Sequence, residues 1–357
     1  MKIAILTFHF ADNFGAVLQT FALEKFLECR QHDVSIINFI PQEKIKSSFF
    51  VKSIKIRHFL GNIIRLFFYP FYLRRKILFQ KFRNEYLKIG KRCSSSDIDF
   101  SSYDVILTGS DQTFNLNYSY TEVYYQQFEK SDFQKKIAYA PSFGSYDMSL
   151  LSGKMIDALK DFDSLSCRES NGAEYLSKIL NRSVSFVLDP VFLLKKQEWT
   201  RFLRKKPVDE SYIFVFDLNG KENLIKMAKL VNKSKKIIMY SNDLLFHVRT
   251  KNGKGISFLK SMCVEDFLTY IYYADLVLTD SFHCTAFSIL LEKSFYTYIA
   301  LEKSSYRIRS ILKALDLTSR IISYNSIDEN EIDYGVVSKL LTEKRLTSQK
   351  FLEQNGL

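Results

Sequence analysis

The sequence predicts two α/β domains in tandem, each a parallel sheet wrapped by helices, and three observations carry that expectation. Short apolar runs alternate with helix-period segments almost throughout, the order that builds parallel sheets. At 357 residues the chain exceeds one ordinary core and fits about two domains of ~100–200 residues. A charged, proline-containing stretch at 201–212, "RFLRKKPVDESY", separates two such series.

In the first series the strands are expected at Lys2–Phe8, Val34–Phe39, Asp104–Thr108, Lys136–Ala140, Ser164–Cys167 and Ser185–Leu188. Helical patterns fall between them at Ala16–Cys29, Leu150–Asp161 and Gly172–Leu180. The second series reads as strand Tyr212–Phe216, helix Glu222–Val231, strand Lys236–Tyr240 and helix Val264–Tyr272. It continues through strand Leu276–Thr279, helix Thr285–Leu291, strand Phe295–Ala300 and helix Ile308–Leu315. The charged tail after Asp328 reads as helix.

Composition is that of a folded globular protein, with 46% hydrophobic and 25% charged residues. The five cysteines (Cys29, Cys93, Cys167, Cys263, Cys284) form neither CxxC pairs nor a zinc-like grouping, which points to reduced thiols in a cytoplasmic protein. The apolar N-terminus is broken by His9 and Asp12 and lacks a small-residue cleavage site, so it reads as a strand rather than a secretory signal. No run approaches the ~18 apolar residues of a spanning helix.

The formal net charge is +12, and much of it lies in 51–92, where Lys and Arg interleave with Phe, Tyr, Ile and Leu. Such a segment suits an anionic membrane surface. The plain alternative is a pair of amphipathic helices with a solvated basic face. Nucleic acid is the weakest choice, since no recognition motif accompanies the charge, and none is expected as a partner.

Ligands of open parallel sheets gather at strand carboxyl ends, which selects five turns. In "FHFADNFGAV", Asp12, Asn13 and Gly15 precede a helix whose free amides suit an anion; a capped helix explains them as well. The loop is neither GxGxxG nor a Walker loop. In "VILTGSDQTFN", Ser110, Asp111 and Gln112 follow a strand, with Asp111 either a base toward a hydroxyl or a helix N-cap. "IAYAPSFGS" places Ser142 in a comparable turn. "DSLSCRESNGAEYL" offers Arg168, which reaches an anion in two-pronged fashion or forms a surface pair with Glu169. In "YADLVLTDSFHCTAFSILLEKSF", Ser281, His283, Cys284 and Thr285 open a helix, and a histidine there either moves a proton near neutral pH or serves the structure. Beyond it, "SSYRIRSILKALDLTSR" supplies Arg307.

Seven segments in order resemble the polysaccharide pyruvyl transferase family: "ILTFHFADNFGAVLQTFAL", "YDVILTGSDQTFN", "KIAYAPSFGS", "SLSCRESNGAEYL", "VSFVLDPVFLL", "ADLVLTDSFHCTAFSILLEKSF" and "YRIRSILKALDL". They cover nearly the whole chain except 51–92. The resemblance implies two Rossmann-like domains facing a cleft, as in GT-B glycosyltransferases. Residues 1–203 would form the acceptor side, with a basic helical segment at 42–92, and 204–357 the donor side with the C-terminal helix. It further implies transfer of pyruvate from phosphoenolpyruvate, a donor substrate rather than a cofactor, onto a sugar as a ketal. The sugar would belong to a cell-surface polysaccharide or its precursor; the charge of the basic segment, read by itself, would suit a lipid-pyrophosphate-linked oligosaccharide at the inner face of the cell membrane.

On that resemblance His283 is the general acid and Asp111 orients or deprotonates the acceptor. Arg168, Arg307, Ser281, Cys284 and Thr285 face the donor; Asp12, Asn13, Gly15, Ser110, Gln112 and Ser142 face the acceptor. No metal is expected. Family members often carry S-x-R-L-H, whereas here Ser281 fills the arginine position and Cys284 replaces a Gly or Ala. Arg168 and Arg307 would then supply the missing cation. Two other functions compete: a GT-B glycosyltransferase using a nucleotide sugar, and a non-catalytic, membrane-docked glycan-binding module.

Overall fold

The computed structural model describes residues 1–45, 56–95, 98–128, 134–220, 222–231, 235–243, 246, 250, 255–299, 305–322 and 330–357, with 56–64 as backbone only. The start of the basic segment, 51–55, and the end of the expected strand at Ala300 lie outside them.

The N-terminal half is a seven-stranded parallel sheet in the order β3-β2-β1-β4-β5-β6-β7. Its strands are β1 Lys2–Leu6, β2 Asp33–Phe39, β3 Ile89–Cys93, β4 Val105–Thr108, β5 Lys135–Ala138, β6 Ser164–Cys167 and β7 Ser185–Phe186. The C-terminal half repeats the plan in six parallel strands, β10-β9-β8-β11-β12-β13. These are β8 Tyr212–Asp217, β9 Lys236–Ser241, β10 Ile256–Leu259, β11 Leu276–Thr279, β12 Phe295–Tyr298 and β13 Ile321–Ile322. Central strands β1, β4, β8 and β11 are buried almost end to end, as helices on both faces require, and all four were among the strands expected from sequence.

The helices introduced here are α1 Phe14–Glu28, α2 Ile56–Tyr86, α3 Gly153–Lys160, α4 Ser170–Leu180, α5 Asn223–Val231, α6 Val264–Tyr273, α7 Phe282–Leu290, α8 Tyr306–Ala314 and α9 Tyr334–Gln354. The pair of helices expected in the basic segment is instead one helix running through Pro70. Phe79 and Phe82 on its buried face pack near Phe14 and Phe21 of α1, which anchors its C-terminal half. Helix α7 begins three residues earlier than expected, so His283 and Cys284 stand in its first turn.

Helix α1 joins the halves. Thirteen of its fifteen residues are buried, the mark of a helix surrounded by core rather than facing solvent. Phe14 stacks on Phe267 of α6 at 4.8 Å and meets Tyr240 and Phe216 at 5.5 and 5.8 Å. Trp199 sits between Phe21 and Phe287, at 5.8 and 4.9 Å. Helix α9, grouped by sequence with the C-terminal half, returns to the first sheet. Leu188 N donates to Ser348 Oγ at 2.9 Å, and Arg345 Nε donates to Phe192 O at 2.6 Å.

Candidate active site

The carboxyl ends of both sheets face a cleft of about 540 Å³. Phe10, Ala11 and Asn13 after β1 and Asp111 and Gln112 after β4 form one wall. Asn219 after β8, Asn242 after β9, Asp280–His283 after β11 and Arg307 at the start of α8 form the other.

His283 reaches across the cleft into the N-terminal half. Its Nε2 lies 3.5 Å from Asp189 Oδ2 and is buried without a hydrogen-bond partner among the described residues. One face of the ring rests on Gly15. A Cβ at residue 15 would fall 1.9 Å from Nδ1 and nearly as close to Cγ and Cε1, at 2.3 and 2.4 Å, a point over the ring rather than at its edge. Gly15 is therefore needed for space.

Behind the histidine lies a buried ionic cluster. Arg168 bonds Asp189 through Nη1, lies 3.7 Å from Asp111 through Nη2, and covers the Phe282 ring at 4.7 Å. Ser110 Oγ donates to the same Asp189 oxygen at 3.0 Å. Burial alone would raise the Asp189 carboxyl, but the charges of His283 and Arg168 outweigh it and hold the group well below the usual carboxylate range. Asp189 thus stays ionised beneath His283. Burial, then the Arg168 charge, lowers the Arg307 guanidinium, whose buried Nε has no hydrogen-bond partner among the described residues.

Asp111 has a φ of 75°, a region that non-glycine residues avoid, and strain of that kind clusters at functional sites. It caps no helix; the next helical turn begins at Ser119, so that alternative is corrected. Asp280, in the His283 turn but given no role from sequence, accepts from Leu218 N at 2.8 Å and Asn219 N at 3.2 Å, and burial pushes its carboxyl up.

The other expected residues divide. Asn13 and Ser281 line the cleft while capping α1 and α7, accepting from Ala16 N at 3.2 Å and Cys284 N at 3.4 Å. Gln112 lines it too. Five expectations are corrected because burial removes the side chain from the cleft. Ser110 and Ser142 are spent on Asp189 and Glu169; Cys284 is enclosed; Thr285 bonds Ser281 O and Thr297; Arg168 lies beneath Asp111. Asp12 belongs to a neighbouring pocket, ion-paired with Arg83 at 3.0 Å. The residue missed from sequence is Asp189, though "LDP" after β7 shows an acid at a strand's carboxyl end. Among the described residues no group of three or more His, Cys, Asp and Glu would hold a metal ion.

Comparisons with known proteins bear on the fold and the family. A UDP-N-acetylglucosamine 2-epimerase from Rickettsia bellii aligns over 99% of this chain and 95% of its own, with TM-score 0.51 and 11% identity. A Listeria monocytogenes protein assigned the same activity covers 98% and 90%, with TM-score 0.53 and 8% identity. At such identities the likeness establishes the two-domain GT-B fold and nothing about substrate. Comparison with curated proteins finds no match. The sequence profile for polysaccharide pyruvyl transferases matches residues 13–300, most of the chain.

Proposed function

Because the chain belongs to the polysaccharide pyruvyl transferase family and is thereby a transferase, we propose that it converts phosphoenolpyruvate and a sugar diol into a pyruvate ketal and inorganic phosphate. The observation that carries the mechanism is His283, held at the cleft over an ionised, buried Asp189. As imidazolium it gives a ring N–H proton to the methylene carbon of the donor, whose C=C electron pair forms the new C–H bond. The neighbouring carbon becomes oxocarbenium-like. One sugar hydroxyl adds there and yields its proton to Asp111; the second displaces phosphate, which departs with that hydroxyl's proton.

Arg307 meets the donor's carboxylate or phosphate from the cleft wall, a two-pronged role that lysine does not fill. Arg168 acts through Asp189 and Asp111 as a positioning residue. The acceptor is a sugar of a cell-surface polysaccharide or of its lipid-linked precursor.

The test is thermal stabilisation of the purified chain by phosphoenolpyruvate, with UDP-galactose, GDP-mannose and inorganic phosphate in parallel. A ligand at 100 times its Kd adds ~2.7 kcal/mol. Stabilisation by phosphoenolpyruvate, lost in Arg307→Ala, supports the reading. Stabilisation by a nucleotide sugar alone replaces it with glycosyl transfer.

A further inference from the structure

Beside the reaction cleft lies a second pocket of about 820 Å³, between the β1–α1 turn and helix α2. The two share Phe10, Ala11, Lys44 and Asn242, so they lie side by side along that border. Among the described residues, Arg75, Lys76 and Arg83, with Lys44 shared with the cleft, line the second pocket against one carboxylate, that of Asp12, which Arg83 pairs. Arg75 bonds the Asp12 carbonyl through Nη2, while its buried Nε has no hydrogen-bond partner among the described residues. The chemistry of this pocket is that of an anion site with more positive charge than one carboxylate would use.

Its rim is unusual for a soluble surface. Leu66, Pro70, Leu73 and Ile77 recur at the spacing of one helix face on α2, opposite Phe79 and Phe82, which are buried. Leu66, Phe67 and Ile77 are 61%, 73% and 67% exposed. Arg74, Lys76 and Lys81 flank them in solvent. Ile77 belongs both to this apolar stripe and to the pocket wall, so the stripe runs up to the pocket's edge. Apolar residues ringed by cations match the headgroup boundary of a bilayer.

We infer that this pocket seats the diphosphate of a membrane-anchored acceptor, whose lipid tail leaves along the α2 stripe and whose sugar enters the cleft past Phe10 and Asn242. The inference deepens the acceptor side of the proposed function and rests on it. The stripe meets the bilayer in which the acceptor is anchored.

The test is sedimentation of the full chain with three phosphatidylcholine vesicles: undoped, doped with a polyprenyl diphosphate, and doped with phosphatidylglycerol to equal charge. The diphosphate vesicles are expected to bind tightest, with inorganic pyrophosphate competing away the margin. Lys76→Ala, at an exposed site where folding is not at risk, should weaken that margin on the order of fivefold. Leu73→Ser/Ile77→Ser should weaken binding to every vesicle. Equal binding to the two anionic vesicles, or binding indifferent to both variants, overturns the inference. Phosphoenolpyruvate stabilisation of the same preparations separates the two readings: its absence alongside intact diphosphate preference would sink the donor chemistry and leave the pocket standing.

Discussion

Gly15→Ala tests the site through a residue that does no chemistry. Gly15 is the second residue of α1, where alanine is intrinsically no worse a helix former than glycine, so a purely local view predicts no loss of stability. Here the new methyl would stand 1.9 Å from His283 Nδ1, whereas ordinary contact begins at 3.4 Å, so the ring must move by about 1.5 Å. Asp189 blocks one direction, and the open one is the cleft. The fold should therefore survive with a small change in Tm. Misplacing a catalytic group by ~1 Å costs about 10²-fold, and general acid catalysis contributes ~10²–10⁴-fold in all. We expect kcat, read as phosphate released from phosphoenolpyruvate with acceptor present, to fall about 10²-fold with KM for the donor less affected. His283→Ala should lose ~10²–10⁴-fold, and the double variant should be no worse than His283→Ala alone, since both remove one function. Near-normal turnover in Gly15→Ala, or losses that multiply in the double variant, would refute the assignment.

Asp189→Asn should lose turnover and also unfold earlier in urea, by roughly 3–5 kcal/mol, because it breaks the buried ion pair to Arg168 and leaves that cation only the more distant Asp111. The depressed Asp189 carboxyl contributes stability that is present above the unfolded value of ~3.9 and is lost as pH falls toward the folded one. Glu24 works in the opposite sense: burial raises its carboxyl to about 7, so the folded chain holds a proton the unfolded chain releases. Stability attributable to it should fall as pH rises from ~4.3 through about 7. Glu24→Gln should accordingly raise Tm at pH 8 and leave it little changed at pH 4, and equal effects at both would contradict this account. Turnover should survive EDTA; its loss would reveal a metal site that no side-chain cluster among the described residues suggests.

The central strands were legible because burial on both faces demands unbroken apolar runs such as "KIAIL" and "YIFVFD". The edge strands β3 and β10 were not, since "IGKRC" and "ISFL" are partly exposed and carry no such pattern. The turns bearing His283, Asp111 and Asn13 were found from their position at strand ends, and the fold brings them to one cleft. Orientation was not readable: Ser142 and Thr285 stand in the right turns but face inward, each committed to a buried partner. Nor does spacing show that a residue at 168 approaches residues at 111 and 189, because that contact depends on the order of β4 to β7 in the sheet.

The aromatic seat of α1 bears on how this architecture is taken apart and recombined. Phe14 is fixed by Phe267, Tyr240 and Phe216, and Gly15 is fitted to His283, so the start of the first helix is complementary to the other half of the chain. A chimera that joins residues 1–203 of this protein to the second half of a relative would inherit a methyl-sized clash or a void at that point unless the two partners are exchanged together. The unit of inheritance for the site is thus the contact between the halves, and acceptor preference is transplanted by moving the turns around it rather than by moving a domain.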